Sequence, residues 1–100
     1  MKFKIVLDDR RPIPDKYHSA RSYEECVVLL KRFKIIEFIS LDYDLGTDKT
    51  GYDVLEFLLK NGNEVEWINI HSDHSEGVPK MREFVREKFP NVSLSFNPIK

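Results

Sequence analysis

Closely spaced carboxylates mark the part of this sequence that is best suited to chemistry. Residues 40–53, SLDYDLGTDKTGYD, place four aspartates directly after an apolar run, and an acidic pair ends the earlier apolar run FKIVL. Carboxylates this close repel one another unless solvent screens them or a positive charge lies among them. Carboxylates with water and no thiolate suit a hard cation. We therefore predict a Mg²⁺ (or Mn²⁺) site whose ligands are Asp8, Asp9, Asp42 and, as the next candidate, Asp44. The alternative is that the acidic pair only ends a strand and begins a turn.

A second group of polar residues follows a later apolar run, EVEWINI. We predict three catalytic residues. Asp42 is the nucleophile or a metal ligand, His71 transfers a proton, and the Ser72 hydroxyl hydrogen-bonds a phosphoryl oxygen. Arg11 and His74 are the predicted contacts to an anionic substrate. Each assignment has an alternative, because a serine here also caps turns, a histidine is as often a surface or core residue, and Arg11 has acidic neighbours with which to pair.

Composition limits the class of protein. The chain has 100 residues, enough for one domain over residues 1–100, and 41% hydrophobic with 33% charged residues is ordinary for a soluble globular chain. The net charge of −1 predicts no general nucleic-acid-binding surface and no attraction to membranes. The single cysteine, Cys26, excludes an internal disulfide and is typical of a core residue. The start, MKFKIVLDD, is too short in its apolar part for a signal peptide or a membrane span, so the expected location is the cytoplasm.

Strand and helix patterns alternate along the chain. Short β-branched or alternating runs predict strands at 3–7, 17–20, 34–42, 64–72 and 92–96. Capping residues followed by apolar residues at helical spacing predict helices at 22–33, 50–62 and 77–89. This alternation is typical of an α/β fold with a mainly parallel five-stranded sheet and right-handed crossovers.

The predicted topology brings the polar residues to one edge. In a flavodoxin-like strand order, 2-1-3-4-5, the three crossovers place all three helices on one face, and the helices that would follow the first and last strands are missing. The carboxyl ends of parallel strands share one edge, so the acidic pair, Asp42 and the His71–Ser72 pair are expected to meet there. Val6, Ile39 and Trp67 are expected on the opposite, wetter face. We predict that residues 10–21, or a second subunit, cover them.

The motifs resemble those of response-regulator receiver domains, and more closely a receiver-like family described as cyclic-phosphate-processing receiver domains. The signature of that family runs L-D-D-x-R-x-x-P, S-L-D-H-D-L-G, T-G-x-D and H-S-x-N-P-x-G-x-x-N-M. This chain has LDDRRPIP, SLDYDLG, TGYD and HSDHSEGVPKM in the same order, over residues 7–81. In receivers the central aspartate is phosphorylated with the help of Mg²⁺. The resemblance implies Asp42 as phosphoacceptor, Asp8 and Asp9 as metal ligands and Ser72 as the switch hydroxyl.

The chain departs from the family pattern at several positions. Tyr43 replaces a histidine, His74 and Ser75 stand for Asn-Pro, and Lys80 stands for an asparagine. Ordinary receivers also carry a lysine before a proline after the fifth strand, where this chain has Asn97 before Pro98, and Lys100 comes three positions late. The departures within the family motifs affect the expected substrate contacts and leave the acidic residues intact. The absence of the lysine disfavours phosphoryl sensing in the usual way.

Three functions are consistent with these features. The first is a metal-dependent enzyme acting on phosphate esters, which the resemblance narrows to 2′,3′-cyclic phosphate ends of RNA or nucleotides. The second is a phosphorylatable or degenerate response-regulator receiver that serves as a signalling or interaction module. The third is a non-catalytic domain that binds a partner through the uncovered sheet face. The expected partners are a phosphate-containing small molecule or RNA end, and a second copy of the chain that forms a homodimer through that face.

Overall fold

The structure, a computed structural model, describes residues 3–99 as five strands and three helices. The strands are β1 (Phe3–Leu7), β2 (His18–Ala20), β3 (Ile35–Leu41), β4 (Glu64–Ile70) and β5 (Ser93–Ser95), and the helices are α1 (Tyr23–Arg32), α2 (Gly51–Asn61) and α3 (Gly77–Lys88). The sheet order is β2-β1-β3-β4-β5, and every neighbouring pair is parallel. The α/β receiver-like architecture and strand order predicted from the sequence are confirmed. Lys100 lies outside the described residues.

The helices begin and end at residues that the sequence identifies. The Ser22 hydroxyl accepts a hydrogen bond from the Glu25 backbone N–H at 3.1 Å and caps α1. The Asp53 carboxylate accepts the Thr50 backbone N–H at 2.7 Å at the start of α2. That helix ends at Gly62, whose φ of +71° is the left-handed conformation that favours glycine.

All three helices pack on one face of the sheet. Their inward side chains form a single core with the same face of the strands, and this core includes Cys26, Leu30, Val54, Leu58, Met81, Ile5, Leu7, Ile39, Leu41, Ile68 and Ile70. Burial raises the pKa of the Cys26 thiol to about 12, so it stays protonated near neutral pH and behaves as the predicted core residue. In the described part of the chain no helix follows β1 or β5, so the opposite face carries no helix.

The opposite sheet face, here called the open face, differs from the prediction at one position. Ile39 belongs to the core on the helix side, so its predicted place on the wetter face is wrong. The register between β1 and β3 shifts between Phe3 and Lys4, which pair with Ile36 and Phe38, so Glu37 is an extra residue on β3. One extra residue inverts the alternation that sequence reasoning assumes.

The segment at residues 10–21 covers part of the open face. Val6 alternates with the core residues of β1 and is fully buried, although it lies outside the helix-side core. The ring of Tyr17 stacks on Phe38 of this face at a centroid distance of 5.7 Å. Trp67, the neighbour of Phe38 on β4, remains 42% exposed. Within residues 3–99, no helix combines the length and apolar character needed to cross a membrane.

Candidate functional site

Three neighbouring strands deliver Asp8, Asp42 and His71 to the same point of the sheet edge. The last residues of β1, β3 and β4 are in register, and the next residue of each strand is one of these three. The ladder continues through them, because the backbone N–H of Asp42 donates to Leu7 O and that of His71 donates to Leu41 O, both at 3.1 Å. One ligand atom from each of the three buried side chains lies within 4.8 Å of the others. We call this group the acidic site.

Asp8 is held in place from both carboxylate oxygens. Its Oδ1 accepts the backbone N–H groups of Arg10 and Arg11, each at 2.9 Å. Its Oδ2 accepts from Nε2 of His71 at 3.0 Å. Burial alone would raise the pKa of Asp8, but these hydrogen bonds and the nearby imidazole outweigh it and lower that pKa below its ordinary value. Asp8 is therefore an ionised carboxylate in a fixed orientation.

His71 uses both ring nitrogens within the protein. Nε2 faces Asp8, and Nδ1 lies 2.7 Å from the hydroxyl oxygen of Ser40. Burial lowers the pKa of His71 below its ordinary value, although the carboxylates of Asp42 and Asp8 act in the opposite direction. His71 is thus a neutral, buried side chain near pH 7, and it contacts Asp8 directly.

Asp42 experiences the opposite shift to Asp8. Burial and the charge of Asp8 raise the pKa of Asp42, while the nearby His71 ring, a hydrogen bond from the Ser72 hydroxyl and the charge of Arg11 partly lower it. When one of two neighbouring carboxyl groups has a lowered pKa and the other a raised pKa, the two commonly have different chemical roles. A cation bound beside Asp42 would relieve the cost of its ionisation.

Asp9 has a buried carboxylate oxygen that bears on cation binding. Its Oδ1 is buried and accepts no hydrogen bond from residues 3–99, and Arg10 Nε lies 4.0 Å away. Its other oxygen lies beside Gly46, 3.3 Å from the position that a Cβ would occupy there. A buried carboxylate oxygen without a partner is uncommon in folded proteins and calls for an ion or a water molecule. Asp9 lies outside the three-residue cluster, so its predicted role as a metal ligand stays a prediction, although carboxylate oxygens are the ligands that a hard divalent cation takes.

Arg11 and Ser72 lie at the rim of the acidic site. Arg11 Nη1 donates to the His71 backbone carbonyl at 3.0 Å and is 3.7 Å from Asp8 Oδ2, while its side chain is about half exposed. The hydroxyl of Ser72 reaches Asp42 and also accepts the backbone N–H of His74 at 3.2 Å. Both residues lie beside the acidic site. Their predicted contacts to a phosphate group stay predictions.

Asp44 and His74 have local structural partners. Asp44 is exposed, and its Oδ1 accepts the Gly46 backbone N–H at 2.9 Å within a turn. Nδ1 of His74 accepts the Gly77 backbone N–H at 2.9 Å at the start of α3, and its ring packs against Tyr43 at 4.5 Å. The structure does not bring either residue into the three-residue cluster, and their predicted roles in metal and substrate binding stay predictions.

Sequence reasoning missed three residues that support the acidic site. Ser40 bonds His71, and Asn69 Nδ2 donates to the Ser40 hydroxyl oxygen at 2.9 Å. Arg21 Nη1 donates to the backbone carbonyls of Asp8 at 3.1 Å and Arg11 at 2.6 Å. It therefore connects the loop that begins at Asp8 to the residues just before α1. For the serine and the asparagine, the available signal was a polar residue inside an apolar strand, two positions before a site residue.

Comparison with protein families identifies the chain. The family model of the cyclic-phosphate processing receiver domain matches residues 3–87, which is most of the chain's length. Neither the comparison with curated proteins nor that with solved structures found a match. The resemblance inferred from the motifs is thereby confirmed, and the chain belongs to the family of cyclic-phosphate processing receiver domains.

Proposed function

We propose that the acidic site binds Mg²⁺ or Mn²⁺ and acts there on a phosphate ester, with 2′,3′-cyclic phosphate ends of nucleotides or RNA as the substrate class. The observation that carries this proposal is the pair of buried carboxylates of Asp8 and Asp42. Asp9, the residue after Asp8, adds a buried oxygen without a hydrogen-bond partner. Family membership supports the substrate class, since the family is described by the processing of cyclic phosphates.

Asp42 and Asp9 are the residues best able to hold the cation directly. Asp9 has a buried oxygen without a hydrogen-bond partner, and the pKa of Asp42 is raised by burial and by the charge of Asp8, whereas three hydrogen bonds already engage Asp8. Asp8 has lone pairs left for one further contact, direct or through water. A divalent cation bound here supplies Lewis-acid stabilisation of negative charge on a phosphoryl group.

The remaining residues orient the substrate and the carboxylates. Arg11 is half exposed and carries a guanidinium that contacts two site residues, so it binds one oxygen of an incoming phosphate. The Ser72 hydroxyl donates to a second oxygen in place of its bond to Asp42. His71 holds Asp8 and is too enclosed to reach a substrate without moving. Asp42 is left as either a cation ligand or the nucleophile.

A second candidate, a phosphorylatable or degenerate receiver, is supported by one specific arrangement. Asp42 directly follows the central strand of the sheet, and the hydroxyl of Ser72, which follows the next strand, reaches its carboxyl. The sequence resemblance assigns the phosphoacceptor and the switch hydroxyl to these two positions. The same acidic site would then hold the cation while Asp42 accepts a phosphoryl group from a small donor.

Calorimetric titration of Mg²⁺ and Mn²⁺ tests the cation site. The wild-type protein is expected to bind one divalent ion, and Asp42→Asn and Asp9→Asn are expected to weaken binding at least 10-fold because each removes an anionic ligand. Asp15→Asn is the matched control, since Asp15 is an exposed aspartate of the 10–21 segment. Absence of wild-type binding at millimolar metal would eliminate both candidate functions.

Two substrates then separate the candidates. With Mg²⁺ present, a 2′,3′-cyclic nucleotide is expected to be opened to a monophosphate by wild type and not by Asp42→Asn, as measured by chromatography. Acetyl phosphate is offered in parallel, and a stable adduct of one phosphoryl group on Asp42, detected by intact mass, would favour the receiver instead. Binding of metal with neither product would leave a non-catalytic binding module.

A further inference from the structure

A row of buried polar side chains lies directly below the acidic site on the open face. Ser40 and Asn69 pair across β3 and β4, and they are only 1% and 3% exposed. Each lies two residues before a member of the acidic site, Asp42 and His71 respectively. Because side chains alternate along a strand, residues two apart point to the same face of the sheet. The polar row and the acidic site are therefore adjacent layers of one face.

The Asn69 side chain has a single possible orientation. Its Oδ1 accepts the backbone N–H of Asn97 at 2.9 Å, and its Nδ2 donates to the backbone carbonyl of the same residue at 2.8 Å. A backbone N–H can only donate and a carbonyl can only accept, so exchanging the amide oxygen and nitrogen would break both bonds. The second hydrogen of Nδ2 points at the hydroxyl oxygen of Ser40 at 2.9 Å.

The orientation of Asn69 determines what Ser40 can do. Since the Ser40 oxygen accepts a hydrogen bond from Asn69, the Ser40 hydrogen is free to point at Nδ1 of His71, 2.7 Å away. A ring nitrogen that accepts a hydrogen bond carries no proton, so the proton of the neutral imidazole is on Nε2. That nitrogen faces Oδ2 of Asp8 at 3.0 Å, and an ionised carboxylate can only accept. The hydrogen bonds therefore run in one direction, from Asn69 Nδ2 to the Ser40 oxygen, from the Ser40 hydroxyl to His71 Nδ1, and from His71 Nε2 to Asp8.

We infer that Ser40 and Asn69 are positioning residues for the acidic site: through His71 they fix the orientation of the Asp8 carboxylate. Neither residue contacts the substrate or the cation. Hydrogen bonds to Ser40 and Asp8 hold the His71 ring at both nitrogens, so its Nε2–H is directed at Asp8. The inference deepens the proposed function and rests on it, because the oriented Asp8 carboxylate is one of the groups proposed to contact the cation, directly or through water.

The network continues outward to the solvent. The Ser95 hydroxyl accepts from Nε1 of Trp67 at 2.7 Å and donates to Oδ1 of Asn69 at 2.6 Å. Ser95 is thus one bond further from Asp8 than Asn69, and Asn69 is one further than Ser40. Substitutions should perturb Asp8 in that order, Ser40 most and Ser95 least, because each added bond gives the remaining groups more freedom to compensate.

Metal-free NMR of the full chain tests the positioning directly. In the wild type, the ¹⁵N spectrum of His71 is expected to show a protonated Nε2 and an unprotonated, hydrogen-bonded Nδ1, with a slowly exchanging Nε2–H. Ser40→Ala is expected to shift the Nδ1 resonance toward the value of a free acceptor, to speed exchange of Nε2–H and to move the ¹³C resonance of the Asp8 carboxyl. Ser95→Ala should give smaller changes in the same sense, and Ser93→Ala, an exposed serine of the same strand, should give none.

The conservative variant Ser40→Thr separates positioning from packing. It keeps the hydroxyl, and Ser40 lines an open-face cavity of about 150 Å³. It should restore the wild-type His71 signals. A wild-type Nδ1 that carries the proton, or unchanged His71 and Asp8 signals in folded Ser40→Ala, would overturn the inference. If Ser40→Ala does not fold, the wild-type spectrum and Ser95→Ala still decide it.

Metal titration of the same variants links the positioning to function. Ser40→Ala is expected to weaken Mg²⁺ or Mn²⁺ binding about 10-fold, the lower end of the range for outer partners of metal ligands, and Ser40→Thr should bind as wild type does. Equal affinity of Ser40→Ala and wild type would contradict the inference while leaving the proposed function intact. Wild-type protein that binds no metal but shows the expected His71 tautomer would refute the proposed function and retain the positioning.

Discussion

Asp42 and Asp8 carry opposite pKa shifts, and these predict opposite effects of the same substitution. Burial and the charge of Asp8 raise the pKa of Asp42. A carboxyl with a raised folded-state pKa destabilises the fold wherever it is ionised, and this penalty disappears as the pH falls and both states become protonated. Without metal at pH 7, Asp42→Asn should therefore stabilise the protein, by about 1 kcal/mol or roughly 4–8 °C in Tm for a domain of this size. Thermal unfolding monitored by circular dichroism measures it.

The matched substitution Asp8→Asn should lower Tm at pH 7. Despite its burial, hydrogen bonds from the Arg11 and Arg10 backbones and from His71 lower the pKa of Asp8. A lowered pKa contributes stability that is present above the unfolded-state pKa and is lost as the pH falls through the folded-state value. The difference between the two variants should therefore shrink in acid. A lower Tm of Asp42→Asn at pH 7 would contradict the conclusion that ionised Asp42 destabilises the fold. Added Mg²⁺ should raise the Tm of the wild type more than that of the variant, because a ligand that binds the folded state stabilises it.

At the residue scale, the sequence predicts which side chains meet but not how each is used. Asp8, Asp42 and His71 follow strands of one sheet, so their convergence is a consequence of topology. The local roles of Asp44 and His74 depend on turn and cap geometry, which a side chain takes up only when the backbone is in place. Ser40 was visible as a polar residue in an apolar strand, but its partner could be found only from the register of β3 and β4.

At the element scale, Gly51 controls how closely α2 approaches the acidic site. A Cβ at this position would lie 2.1 Å from the backbone oxygen of Asp42, and the Gly51 N–H donates to Tyr43 O at 2.9 Å. Gly51→Ala should therefore push the helix away from the end of β3 and move Asp42. We expect a loss of about 2 kcal/mol or more, as for other overpacked sites, together with weaker metal binding.

Gly62, at the other end of the same helix, is the control for this prediction. Its φ is +71°, and a Cβ added there would meet no neighbouring side chain or backbone atom within 4 Å. Gly62→Ala should cost about 1–2 kcal/mol through backbone strain alone and leave metal affinity unchanged. Chemical unfolding and calorimetry measure both properties. Equal metal affinity in Gly51→Ala and wild type would show that the approach of α2 does not position Asp42.

The elements themselves were well predicted because periodicity and caps are local signals. The starts of α1 and α2 follow from their capping residues, and the end of α2 follows from Gly62. The extra residue at Glu37 was not predictable in this way, since a bulge is defined only against the partner strand. That single residue moved Ile39 from the predicted open face into the core.

At the scale of the whole molecule, three crossovers of one hand leave one sheet face without helices in the described chain. The strand order was predictable because alternating strands and helices permit few topologies. What covers the open face was predictable only in part: residues 10–21 reach Phe38 through Tyr17, while Trp67 stays 42% exposed. The predicted homodimer would bury this remaining surface.

A dimer through the open face makes a specific prediction about the exposed Trp67. A stable interface needs about 800 Å² from each partner, and a two-fold dimer uses the same patch on both chains, so one substitution acts twice. Trp67→Glu should convert a dimer into a monomer in analytical ultracentrifugation. Val28→Glu, at a 64% exposed position on α1, should leave the dimer intact because α1 lies on the helix side. A wild-type monomer at submillimolar concentration would refute the dimer. Because Trp67 also donates to Ser95, Trp67→Glu should in addition weakly perturb His71.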